Sequence, residues 1–165
     1  MTNPEQSETN TNLNPSQNLI LALKVSSILW LIWGIAHIAF GVFGLAGFLA
    51  GEAAETMKAM LGGADPATLD IKYPNAVVGL LNQHSWNLLW FGVFTTIGGV
   101  LIWRKNAVAI IITAIVGGAA DAGYFLFVDL AGFAAAPGPQ MTWISATAIL
   151  LSLFVYVRTE RLESR

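Results

Sequence analysis

The sequence predicts an all-α protein in which four helices cross a membrane. Apolar residues make up 55% of the 165-residue chain and charged residues only 11%, whereas a typical soluble domain carries roughly 25% charged residues. Too few charges are present to cover a surface that faces water, so lipid must solvate much of the protein. Four long apolar segments, separated by polar residues, supply the spans.

Composition also excludes several kinds of chemistry. The chain has no cysteine, which excludes disulfides, thiolate metal sites, iron–sulfur clusters and thiol redox motifs. No run of basic residues, with or without interleaved aromatic residues, predicts nucleic-acid binding. The few polar residues inside the apolar segments are the predicted functional residues.

The chain begins with a polar tail and a long first span. Residues 1–18 are rich in Asn, Thr, Ser, Gln and Glu, contain no Lys or Arg, and predict a disordered cytoplasmic tail. The apolar run 19–48 exceeds the roughly 20 residues that a helix needs to cross the hydrocarbon. Lys24 lies near its start, where the ammonium can reach the lipid head groups.

A second polar segment, residues 51–74, predicts a loop on the outer side. It contains charged residues of both signs and the helix breakers Gly62-Gly63 and Asp65-Pro66. Within it, residues 52–61 predict a short amphipathic helix that lies on the membrane surface.

Three further spans complete the predicted membrane domain, residues 19–157. The second covers about 76–103 and ends at Arg104-Lys105, and the third covers about 107–133 after a tight turn. A Pro-rich loop, 134–140, leads to a fourth span over about 141–157, which is close to the minimum length. Residues 158–165 predict a charged cytoplasmic tail.

The distribution of Lys and Arg predicts the orientation in the membrane. Two basic residues, Lys58 and Lys72, fall on one side. Six fall on the other side: Lys24, Arg104, Lys105, Arg158, Arg161 and Arg165. The bias predicts a multi-pass protein of the cell (inner) membrane with both termini in the cytoplasm.

Three ionisable residues lie inside the predicted spans: His37, His84 and Asp121. At a rise of about 1.5 Å per residue they lie about 27, 28 and 22 Å from the cytoplasmic boundary, so they share one layer in the outer half of the bilayer. An aspartate in hydrocarbon costs about 2.5–3.5 kcal/mol and needs a partner or water. Because the basic residues belong to the opposite boundary, a histidine is the predicted partner of Asp121, in a pair suited to proton handling.

Helical periodicity places further side chains beside these three. The predicted ligand- or proton-binding cluster consists of His37, His84, Asn87, Asp121, Tyr124, Trp33 and Trp86. Glycines on the same faces allow the helices to approach closely. The pattern predicts a bundle with a polar, Trp-lined pocket that opens outward. Interhelical hydrogen bonding without a ligand is the alternative.

Two histidines and a carboxylate are also a ligand set for iron or zinc, which makes His37, His84 and Asp121 an alternative metal site. No spacing such as HxxxH arranges this set on one helix, so three helices would have to converge. Two histidines could also be the axial ligands of a haem, but their similar depths fit a hydrogen-bonded pair equally well. The sequence therefore identifies no cofactor.

In its length, four spans and short charged tail, the chain resembles small bacterial four-helix membrane families such as the DoxX-like group. The resemblance covers the layout of most of the chain and implies the four-helix membrane fold. It involves no shared residue motif and implies no site residues.

Three functions are compatible with the sequence. The first is a binding or accessory membrane protein that holds a small lipophilic ligand, such as a quinone or a lipid. The second is a membrane-embedded enzyme that uses His37, His84 and Asp121 for acid–base or metal chemistry. The third is a proton-coupled small-molecule transporter in which Asp121 titrates, although no internal repeat supports it. The predicted partners are the lipid bilayer, the ligand, and a homo-oligomer or membrane complex.

Overall fold

The computed structural model describes residues 16–163, and this part of the chain contains helices and no strand. The helices are α1 (Gln17–Leu49), α2 (Ala53–Met60), α3 (Pro66–Leu69), α4 (Asn75–Trp103), α5 (Ala107–Tyr124) and α6 (Gly138–Glu163), with a π-helical turn, Phe125–Asp129, that continues α5. Four segments are long and apolar enough to cross a membrane: α1, α4, α5 with its π-helical turn, and α6 as far as Arg161. The predicted all-α, four-span fold is confirmed.

The first two spans begin and end within two residues of the predicted bounds 19–48 and 76–103. The third was predicted to reach residue 133, but its helix ends with the π-helical turn at Asp129. The fourth is longer than the predicted 141–157, because α6 begins at Gly138 and continues to Glu163. Pro139 is compatible with this early start. The N–H groups of the first turn have no partner within the helix, so a proline there, which lacks an N–H, removes no helical hydrogen bond.

The structure describes only part of each predicted tail. Most of the predicted 158–165 tail is the last part of α6, through residue 163. Residues 1–15 of the predicted 1–18 tail, and residues 164–165, lie outside the described residues.

The segment 51–74 contains two short helices. The short helix predicted over 52–61 is confirmed as α2, and its position on the membrane surface stays a prediction. The second, α3, was not predicted; it begins after Asp65, whose side chain accepts a hydrogen bond from the Ala67 N–H at 3.0 Å. Lys58 on α2 contacts Glu55 at 2.9 Å and Asp70 at 3.3 Å, so it ties α2 to the chain that follows α3.

The four long helices run alternately up and down. The start of α1, the α4–α5 turn and the end of α6 lie at one end, here called the termini end, and residues 50–74 and 130–137 lie at the other, the loop end. At the termini end Lys24 Nζ lies 5.0 Å from the centroid of the Trp103 ring. The adjoining turn is closed by Asn106, whose side chain accepts a hydrogen bond from the Ala109 N–H at 2.9 Å. Cationic and aromatic side chains at this level are typical of a membrane boundary.

Glycines bring α1 and α4 into backbone contact. A Cβ atom on Gly92 would lie 2.5 Å from the Gly34 carbonyl oxygen and 2.6 Å from the Ile38 nitrogen. One on Gly41 would lie 2.5 Å from the Leu89 nitrogen. No side chain fits at these positions without moving the helices, so small residues set the α1–α4 distance, as is common in membrane bundles.

Two tryptophans of α1 fill the interior of the bundle. Trp30 and Trp33 are fully buried, and the Trp30 ring packs directly against Gly117 of α5. Ser26 Oγ, one turn nearer the termini end, donates a hydrogen bond to the Ala148 carbonyl of α6 at 2.7 Å. The core of the protein is therefore built around one face of α1.

Candidate polar site in the bundle

Asp121 joins three of the four membrane helices. Its Oδ2 atom accepts a hydrogen bond from Trp33 Nε1 of α1 at 2.8 Å and another from Ser145 Oγ of α6. Asp121 is only 5% exposed, and both of its partners are buried. Because a buried carboxyl without partners costs several kcal/mol in hydrocarbon, the two donors make this position of α5 tolerable.

The predicted histidine partner of Asp121 is wrong. Within residues 16–163, the hydrogen-bond partners of Asp121 are Trp33 and Ser145, and no histidine forms an ion pair with it. The prediction considered only charged partners, whereas an indole N–H and a hydroxyl also donate to a carboxyl group. In the sequence, Ser145 shares a polar face of the fourth span with Ser152 and Tyr156, a pattern that does not by itself link it to Asp121. The depth of Ser145 indicates the pairing. Ser145 lies about 20 Å above Arg158 and Asp121 lies about 22 Å above Asn106, so the two residues are at nearly the same level in the membrane.

His37 sits directly on the Trp33 ring. The two ring centroids are 3.5 Å apart and the planes differ by 19°. His37 Nδ1 lies 2.8 Å from the Trp33 carbonyl oxygen. A carbonyl can only accept, so Nδ1 carries the hydrogen, and a neutral His37 then presents Nε2 as an acceptor.

His84 lies on a face of α4 whose burial changes along the helix. At about 100° per residue, this face also carries Phe91, Thr95 and Gly98. Near the termini end Gly98 lies directly against Thr113 of α5, and Thr95 is fully buried. Phe91 is half-buried, and His84 is exposed. α5 therefore covers this face near the termini end and leaves it uncovered toward the loop end.

The uncovered face of α4, which carries His84 and Phe91, borders what we call the α4–α5 opening, with His37 of α1 beside it. His37 is half-buried, projects from the same side of α1 as Trp33, and is close enough to His84 for the two rings to interact electrostatically. The π-helical turn Phe125–Asp129 begins one turn beyond Asp121. Such turns often occur at functional sites.

The structure does not bring every predicted site residue into this cluster. Trp86 is 56% exposed and points away from His84, because two residues turn a helix by about 200°. Asn87 accepts a hydrogen bond from Trp90 Nε1 at 3.1 Å on the exposed side of α4. Tyr124 packs against Gly138 at the start of α6. The predicted Trp-lined pocket is not formed as expected: Trp33 fills the interior with Trp30, while Trp86 faces outward.

The alternative metal site is not assembled. Among residues 16–163, no three histidine, aspartate or glutamate side chains come close enough to hold a metal ion, so His37, His84 and Asp121 do not form a ligand set. The reason is geometric: the Asp121 carboxyl is held between α1 and α6, whereas His84 projects from the uncovered face of α4.

No protein-family model, curated protein or solved structure matches the chain. The DoxX-like relationship stays a prediction.

Proposed function

We propose that this integral membrane protein binds a small lipophilic molecule in the α4–α5 opening. The observation that carries the proposal is the exposure of His84 on a face of α4 that α5 buries nearer the termini end. About 28 Å from Trp103, the uncovered His84 ring lies near the loop-end edge of the hydrocarbon, where a ligand that enters from the lipid or from water can meet it. The proposal includes the cell membrane as the location and the cytoplasm as the side of both termini, which the Lys and Arg distribution supports.

The polar groups of the opening favour a ligand that donates a hydrogen bond. The His37 Nδ1 hydrogen is used by the Trp33 carbonyl, which makes Nε2 an acceptor in the neutral ring. We further infer that Asp121 offers a second acceptor, since both of its hydrogen bonds go to Oδ2 and its other oxygen has no partner among residues 16–163. A phenolic or alcoholic hydroxyl matches such acceptors. The aromatic side chains of His37 and Phe91 suit an apolar body beside that hydroxyl.

The test compares 4-hexylphenol with 4-hexylanisole, in which a methoxy group replaces the hydroxyl and no hydrogen bond can be donated. Binding is measured by equilibrium dialysis against protein in phosphatidylcholine nanodiscs, with empty nanodiscs as the reference for partitioning into lipid. We expect the phenol to bind about 3–10-fold more tightly, because a single hydrogen bond contributes about 0.5–1.5 kcal/mol.

Variants locate the site. His37→Ala and His84→Ala should each weaken phenol binding, and Gln83→Ala should not, since Gln83 is an exposed neighbour of His84 that projects about 100° away from it. Equal binding of phenol and anisole, or equal effects of the His84 and Gln83 substitutions, would contradict the proposal. The enzyme and transporter hypotheses remain predictions from sequence, and no geometric feature favours either.

A further inference from the structure

A groove separate from the α4–α5 opening lies at the loop end, between α1 and α2. Its volume is about 400 Å³. The apolar side of the groove is formed by four residues at the end of α1: Phe43, Ala46, Gly47 and Ala50. The carboxylates of Glu52 and Glu55 border it. Beside the groove α2 packs tightly onto α1: buried Thr56 contacts Gly47 so closely that a Cβ on Gly47 would lie 3.2 Å from Thr56 Cβ, and both residues line the groove.

The depth of the groove coincides with a lipid head-group layer. Lys24, beside the Trp103 ring, marks the boundary at the termini end. Phe43 is nineteen residues further along α1, which is about 28 Å at 1.5 Å per residue. The hydrocarbon core of a bilayer is roughly 30 Å thick. Phe43 therefore lies at the edge of the hydrocarbon, and the two glutamates, which follow it in the chain at the loop end, lie among the head groups.

The charge of the groove selects among head groups. Both glutamates are exposed; Glu55 contacts Lys58 through Oε1, and Glu52 forms no ion pair among residues 16–163. Carboxylates repel anionic head groups and form their strongest hydrogen bonds with charged N–H donors. Ethanolamine ends in a primary ammonium with three such donors, whereas choline carries a cation with none. Phe43 is 47% exposed and offers an apolar surface for the upper part of an acyl chain.

We propose that this groove binds the ethanolamine head group of a phospholipid in the leaflet at the loop end, with the ammonium against Glu52 and Glu55 and the acyl chain against Phe43. The depth, the apolar side and the uncompensated carboxylate all point to this occupant. The proposal does not depend on the α4–α5 opening or on its ligand.

The test uses native mass spectrometry of the full chain released from mixed phosphatidylethanolamine and phosphatidylcholine vesicles. We expect the retained lipid to be enriched about tenfold in phosphatidylethanolamine over the vesicle composition. That ratio corresponds to about 1.4 kcal/mol, in the range of one partly exposed charge-assisted hydrogen bond. Retention in proportion to the vesicle composition would overturn the proposal.

Three variants distinguish the groove from the rest of the surface. The double variant Glu52→Gln/Glu55→Gln should lose the enrichment, and Asp65→Asn, which removes a carboxylate of the same segment but outside the groove, should keep it. Ala46→Trp, which fills the groove and leaves both glutamates in place, should lose it as well. If the enrichment persists in either groove variant, the site is refuted. Because Ala46→Trp does not alter the carboxylates, its result stands even if the double variant does not fold.

Discussion

The α1–α4 contact leads to a specific prediction for Gly92→Ala. The added Cβ would lie 2.5 Å from the Gly34 oxygen and 2.6 Å from the Ile38 nitrogen, and ordinary contacts begin at 3.4 Å. The two helices must therefore separate locally by roughly 0.5–1 Å. Overpacking of this kind costs about 1–3 kcal/mol, while replacing glycine by alanine within a helix gains about 0.5–1 kcal/mol. We expect a net loss of about 1–2 kcal/mol.

Gly79 on the same helix provides the matched control. A Cβ at Gly79 would have no neighbour within 4 Å, so Gly79→Ala should leave the free energy of unfolding unchanged or raise it by up to about 1 kcal/mol. Both variants are compared with the original chain by reversible unfolding in mixed micelles of increasing SDS content. If Gly92→Ala proves as stable as Gly79→Ala, backbone contact between α1 and α4 is not what sets their packing.

Further predictions concern single hydrogen bonds and one ion pair. Trp33→Phe removes a donor from buried Asp121 and should lower the free energy of unfolding by about 1–2 kcal/mol in the same titration; no change would mean that the bond is not formed. Ser27→Ala removes a 2.6 Å hydrogen bond from α1 to α4 and should cost less, about 0.6 kcal/mol, so a larger loss than for Trp33→Phe would contradict this ranking. The pKa of Lys58 is raised in the folded protein, and the largest cause is the hydrogen bond to Glu55. The charged Lys58 therefore stabilises the fold fully at a pH below the ordinary lysine pKa, and this stabilisation is lost as the pH rises through the higher pKa of the folded state. Proteolysis of residues 51–74 should therefore accelerate at strongly alkaline pH in the original chain, and already be fast at neutral pH in Lys58→Met; identical rates for the two proteins at neutral pH would count against the ion pair.

The number of membrane spans and their helical structure were predictable because hydrophobic length decides them. A run of about 20 apolar residues has few alternatives to a membrane span, and the short helix α2 followed from its amphipathic pattern. The end of α5 and the extension of α6 were less predictable. A π-helical turn depends on local packing, and the charged residues after 157 are compatible with either a tail or a helix that leaves the membrane.

The polar site was predictable in its depth but not in its pairing. Counting residues placed Asp121 and the histidines at similar levels, and helical periodicity put Trp33 and His37 on one face of α1, as the structure has them. Which residues meet across helices depends on how far each helix is rotated, and no pattern within one segment contains that information. For this reason Ser145 was not linked to Asp121, and Trp86 was placed in a pocket although it lies on the outer face of α4.

Cysteine accessibility tests the central claim, the α4–α5 opening, most directly. The chain has no cysteine, so single cysteines can be introduced without background, and labelling by a charged thiol reagent can be followed in nanodiscs. We expect His84→Cys to react and to be slowed by 4-hexylphenol, while Thr95→Cys, buried on the same face, and Val93→Cys, exposed on the lipid side, remain unlabelled. Absence of labelling at position 84, or equal labelling at positions 84 and 95, would show that α5 covers this face along its whole length and would contradict the account.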